Sequence, residues 1–185
     1  MNATCSGNCR RLFTAGALCA ELLHLGWEHT HGGVIAHHLL GNPDLPAFAN
    51  WWGVLLIPFL AWWLVGRIGA RVQARRDELN RGRRGMRINP WGGFAVALVY
   101  GAAMAIAFST GSSLVSWLFF ALPVLALVIR LWQAQYVLGF VFGMTFVFGA
   151  VLPTIIASVI ATLSWTVHAV VSALRRRLRS PGGLA

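Results

Sequence analysis

The chain has no lysine. Its fifteen basic side chains are all arginine, five residues are acidic, and charged residues occupy only 11% of 185 positions. A soluble domain carries about 25%, so this scarcity, with 57% hydrophobic residues and a mean hydropathy of +0.67, excludes a water-soluble globule. Ten-residue segments of alternating polarity are also lacking, which excludes a porin-like barrel. Three cysteines (Cys5, Cys9, Cys19) are too few for a disulfide framework. The Cys5–Cys9 spacing alone offers too few ligands for a metal. No phosphate loop, dinucleotide fingerprint or C-x2-C pair is present.

What the chain does have is apolar runs of roughly 20 residues, the length that crosses about 30 Å of hydrocarbon as helix. They predict an all-α, polytopic integral membrane bundle forming a single domain over residues 1–185, with about six transmembrane helices. The expected spans are Leu12–Trp27, Asn50–Arg67, Trp91–Phe108, Leu114–Ile129, Ala134–Ala150 and Thr154–Leu174. The forty apolar residues from 133 to 174 are too long for one span, and Gly149 to Pro153 is the natural break. With six spans, Arg10-Arg11, the basic loop 67–90, Arg130 and the C-terminal arginines share one side, and the loops on the other side hold no arginine. By the positive-inside rule both termini are then cytosolic, in a membrane of the bacterial inner (plasma) type. The net charge of +10 is thereby assigned to topology and to anionic lipid headgroups met by the arginine loop, not to nucleic acid.

The stretch from Glu21 to Trp52 is unlike the rest. It holds five of the six histidines, three of the five acidic residues and no arginine. Residues 28–50 read as an extracytoplasmic loop, and Val34 to Leu40, between Gly32-Gly33 and Gly41-Asn42-Pro43, is expected to form a short interfacial or re-entrant helix. Glu21, His24 and Glu28 are spaced i, i+3 and i+7 and share a helix face. Glu21 falls about 15 Å from the Arg11 end of the helix, close to the bilayer midplane, where an ionisable group is costly and points to function. Imidazoles and carboxylates together suit zinc, copper, nickel, iron or manganese. The ligand candidates are His24, His29, His31, His37 and His38, with Glu21, Glu28 and Asp44 as candidate catalytic bases or orienting groups.

Two other readings stand beside metal binding. A buried Glu21/His24 pair suits a small transporter or channel component, and it equally suits a non-catalytic bundle held by a structural polar network. Two further site types are excluded by depth. His24 and His168 lie at different heights and cannot both ligate one b-type haem, and Ser112 or Ser113 sits toward the opposite side from His168, which excludes a serine–histidine protease. Gly139 and Gly143 form a G-x3-G spacing, which packs helices within the chain or joins two copies in a homodimer.

Overall fold

The structure of the chain, a computed structural model, describes residues 7–34, 36–38, 44, 47–81 and 89–178, and only the backbone of His37, His38 and Ala47. Cys5, Arg83, Arg84, Arg87 and Arg179 lie outside the described residues. Six helices make up most of the described chain: α1 (Gly7–Thr30), α2 (Gly53–Asn80), α3 (Pro90–Ser109), α4 (Leu114–Val128), α5 (Ala134–Phe148) and α6 (Val151–Leu178). Between α1 and α2, β1 (Ala36–His38) pairs antiparallel with β2 (Ala47–Ala49), Ala36 opposite Ala49 and His38 opposite Ala47.

Among the described residues, three segments are long and apolar enough to cross a membrane: Asn50–Asn80, Pro90–Ser109 and Val151–Leu178. The apolar helices α4 and α5 have 15 residues each, or about 22 Å at 1.5 Å per residue. The 24 residues of α1 are long enough, but Thr14, Glu21, His24 and Glu28 lower their hydropathy. The outward surface is apolar, with Trp117 75% and Phe146 70% exposed. Such a surface suits lipid, and a soluble monomer does not carry it.

Local chemistry sets most helix ends. Asn89 caps α3 by accepting a hydrogen bond from the Gly92 amide at 3.1 Å, and Pro90 occupies the first turn, where no amide donor is needed. Gly149 (φ 65) separates α5 from α6. The sixth helix starts at Val151, three residues before the expected Thr154, because Pro153 is tolerated within a first turn.

Where a short helix over 34–40 is expected, the described residues 36–38 form the strand β1. Gly32 (φ 124) and Gly33 (φ 101) take conformations that L side chains rarely adopt and end α1. Seven residues make an unstable helix alone, and the antiparallel ribbon pairs the backbone of 36–38 instead.

The centre of the bundle is the α3–α5 pair, the most extensive helix contact in the chain. A Cβ at Gly139 would lie 2.3 Å from the Phe94 carbonyl oxygen, and one at Gly143 2.3 Å from that of Leu98. Gly101 faces the same seam. The small-residue face is therefore filled by α3 of the same chain, and a homodimer through Gly139 and Gly143 would have to displace α3. Around this pair, α2 and α6 pack on α5, α1 packs on α2, and α4 packs on α6 and α3.

Contacts between helices mark two ends. At one end Phe108 meets Phe148 (4.7 Å between centroids) and His24 meets Phe146 (4.9 Å). At the other, Phe13 meets Trp91 (6.0 Å), the Arg10 guanidinium lies 3.8 Å from the Trp62 ring centroid, and Arg67 lies over Trp63. Among the described residues the arginines gather at this second end.

Gly139→Val and Gly143→Val place methyl groups against backbone that cannot retreat. Each lowers stability by about 3 kcal/mol or leaves the protein unfolded. Gly16→Val, which meets nothing within 4 Å, stays within about 1 kcal/mol of the parent, the cost of a β-branched residue in a helix being small. Thermal unfolding in detergent checks both.

Candidate functional site: a buried polar face on α1

Arg10, Thr14, Ala17, Glu21, His24 and Glu28 follow one another in steps of four and three, which places them on a single face of α1. That face is turned into the protein: Ala17, Glu21 and Glu28 are buried, and Arg10, Thr14 and His24 are half-buried. Leu12, Leu22, Leu23 and Trp27 are exposed. A helix that buries its polar side and exposes its apolar side is ordered for lipid, where charge must be hidden.

Glu28 is the better-satisfied carboxylate. The Asn50 side-chain amide donates to its Oε1 at 2.5 Å, and His24 Nε2 lies 3.6 Å from the same oxygen. Asn50 is itself 3% exposed. It opens a 3-10 turn, Asn50–Trp52, between β2 and α2, so the ribbon is what returns the chain to the head of α1. A charge-assisted bond of this kind contributes about 1.5–3 kcal/mol.

Glu21 is placed differently. Its carboxyl lies against the backbone of Gly53, the first residue of α2, and a Cβ there would sit 1.7 Å from Oε1. A side chain at 53 would push the Glu21 carboxyl aside. Glu21 Oε1 is buried and finds no hydrogen-bond partner among the described residues, and the same is true of Thr14 Oγ1. Glu21 and His24 line a small cavity of about 40 Å³, walled by Ile57 of α2 and Thr145 and Phe146 of α5. One water needs about 10–15 Å³ by this measure, so the space takes two or three. The Thr145 hydroxyl donates to the Val141 carbonyl at 2.7 Å, which leaves the oxygen's lone pairs able to accept.

Seven residues along a helix separate Glu21 from Glu28, about 10 Å at 1.5 Å per residue. With both ionised, their repulsion costs roughly 1–2 kcal/mol at an effective dielectric constant of about 20. With one of the two carboxyls neutral, that repulsion is absent.

Of the remaining candidates, His29, His31 and Asp44 stand outside this buried face. His29 is exposed. His31 is exposed and stacks on Trp27 (3.7 Å between centroids), with Nδ1 2.9 Å from the Trp27 carbonyl oxygen and 3.0 Å from Thr30 Oγ1. It finishes the end of α1. Asp44 is exposed. His37 and His38 lie on β1, where successive residues point to opposite faces, and their side chains are outside the described residues. Among the described residues no three His, Cys, Asp or Glu side chains converge as a metal ion requires. Sequence reasoning missed Asn50, Thr14 and Gly53. The four-three spacing continued backwards from Glu21 would have found Thr14, but nothing local marks Asn50 as the partner of Glu28.

Gly53→Ala pushes aside the Glu21 carboxyl, the far end of a flexible side chain, and lowers stability by about 1 kcal/mol. In a Glu21→Ala background the same change is nearly neutral, because the clashing oxygen is gone. Thermal unfolding of the four proteins measures this coupling, and an equal cost in both backgrounds would place Glu21 elsewhere.

No protein-family model, curated protein or solved structure matches this chain.

Proposed function

We propose that this is a six-span protein of a bacterial-type inner membrane, with both termini and the arginine-rich end cytosolic, and that the buried face of α1 exchanges protons as part of a small transporter or channel unit. One observation carries the reading. The two buried side-chain polar atoms without a partner among the described residues, Glu21 Oε1 and Thr14 Oγ1, lie on the same face of the same helix as His24 and Glu28. A stray polar group in a membrane bundle is costly and is lost unless it has a use.

The order of groups supports a relay. A proton on the Glu21 carboxyl has the small cavity in front of it, and His24 lines the same cavity. Water there passes the proton to the imidazole. His24 Nε2 stands 3.6 Å from Glu28 Oε1, a distance that closes to a hydrogen bond with a small side-chain shift. Asn50 holds Glu28 in place and joins it to the loop end of the bundle. Toward the opposite end, Thr14 lies about 10 Å from Glu21 along the helix. One turn further, Arg10 Nε donates to the Trp62 carbonyl at 2.7 Å and keeps a fixed positive charge at that mouth.

In proteoliposomes carrying an internal pH dye, the parent protein dissipates an imposed proton gradient. Glu21→Gln slows this by at least about tenfold, the scale of losing a positioned proton carrier, and His31→Ala leaves it unchanged. Flux in Glu21→Gln equal to the parent's would overturn the proposal. Elemental analysis of the same preparation separates the metal reading. Stoichiometric zinc, copper, nickel, iron or manganese, lost in a His31/His37/His38→Ala variant, would replace proton exchange with metal chemistry. A reporter fused at the C terminus reads as cytosolic if the six-span orientation holds.

A further inference from the structure

A second cavity lies away from α1, between α3, α4, α5 and α6. It measures about 100 Å³ and its wall is almost entirely carbon, with Leu122, Phe140, Ala157 and Ile160 among the lining residues. The chain's only two tyrosines, Tyr100 and Tyr136, also line it. Tyr100 turns its hydroxyl away by donating to the Leu118 carbonyl at 2.5 Å, which leaves its ring in the wall. Val96, on the rim, is 69% exposed, so the cavity opens sideways toward the lipid-facing surface. Its size decides what it can hold. An apolar cavity of about 150 Å³ takes one benzene, so this one seats a short stretch of hydrocarbon and leaves the rest of the occupant outside.

The arginine-rich end of the same cavity is charged. Ile129 and Leu131 line it, and Arg130 stands between them. Ser164 fixes that segment: its hydroxyl bonds the Ala126 and Ile129 carbonyls at 2.8 and 2.9 Å and accepts from the Leu131 amide at 3.1 Å. Arg71 of α2 lies within electrostatic range of both Arg130 and Tyr136, and the two guanidinium charges repel each other. Among the described residues neither arginine forms an ion pair with a carboxylate. Arg130 thus stands beside an apolar slot that opens to lipid, and Arg71 lies within electrostatic range of it. Trp132 and His168 stack edge-on beside Arg130 (4.8 Å between centroids), an aromatic pairing suited to the headgroup level.

We propose that this place binds one anionic phospholipid, with its phosphate on Arg71 and Arg130 and part of one acyl chain in the slot between α3, α4, α5 and α6. The phosphate supplies the negative charge that the two arginines lack, in the geometry guanidinium groups favour. The acyl chain explains an occupant that fills the slot and continues into the bilayer. Arg71 lies on α2 and Arg130 in the connection between α4 and α5, so the bound lipid ties α2 to that connection.

Native mass spectrometry of the full-length protein in detergent tests this with three probes: phosphatidylglycerol, phosphatidylcholine and glycerol 3-phosphate. One phosphatidylglycerol per chain is retained in preference to phosphatidylcholine, and glycerol 3-phosphate does not compete. Arg71→Ala and Arg130→Ala each weaken retention roughly fivefold, the scale of one arginine near a lipid phosphate, and Arg76→Ala on the same helix does not. Ala157→Leu fills the slot and Val96→Trp covers its rim. Either one, shown by thermal unfolding to be folded, weakens phosphatidylglycerol retention without a change of charge. Equal retention of phosphatidylcholine, full competition by glycerol 3-phosphate, or undiminished binding in the arginine variants or in both slot variants would overturn the proposal.

Discussion

Two carboxylates, Glu21 and Glu28, lie on the one face of α1 that is turned into the protein, and most of the architecture around α1 answers the need to house them there. The face is turned onto α2. Gly53 removes the side chain that would collide with Glu21. The β1–β2 ribbon folds the connecting loop back so that Asn50 reaches Glu28. His24 lies between the two acids and shares the cavity with Glu21. At the far end of the same face Arg10 is held by the Trp62 ring and carbonyl. Packing, backbone freedom and charge therefore act together at one seam. The seam still leaves one carboxyl oxygen and one hydroxyl unpaired among the described residues, and that remainder gives the proton reading its content.

The seam needs firm walls, and the α3–α5 pair supplies them. Glycine at 101, 139 and 143 lets two backbones meet at distances a side chain would forbid, so association rests on close packing where no hydrophobic drive operates between helices in lipid. Thr145 and Phe146, which wall the polar cavity, sit on the same helix as this contact. The outer helices are held less completely. The apolar window of α6 is only 11% buried, and buried Ser164 ties it to the end of α4 by hydrogen bonds to backbone. The slot proposed for a lipid opens where these looser helices meet the rigid pair.

Much of this was legible in the chain itself. Five of the six helices appear close to where the apolar runs and the breaks between them place them, while α2 runs on to Asn80, thirteen residues past the expected Arg67. The Glu21–His24–Glu28 face was legible from helical spacing alone. The ribbon was not, because three-residue strands carry no periodicity and their pairing joins residues nine to thirteen apart. The role of Asn50 was hidden for the same reason: its partner lies twenty-two positions away. Histidine content suggested a metal site; of those histidines, His31 stacks on Trp27 at the end of α1, and the side chains of His37 and His38 lie outside the described residues. The small-residue stripe at Gly139 and Gly143 announced a close contact without naming its partner, which the fold identifies as α3.

The central claim is that Glu21 is a proton-exchanging carboxyl inside the bundle. Difference infrared spectroscopy of the protein in lipid, recorded as the bath pH is stepped, observes carboxyl protonation directly. The account predicts a carboxyl C=O band that rises and falls with pH in the parent and is missing in Glu21→Gln. Difference spectra that are the same in both proteins would show that Glu21 does not exchange protons with the bath, and would reduce the α1 face to a structural polar seam.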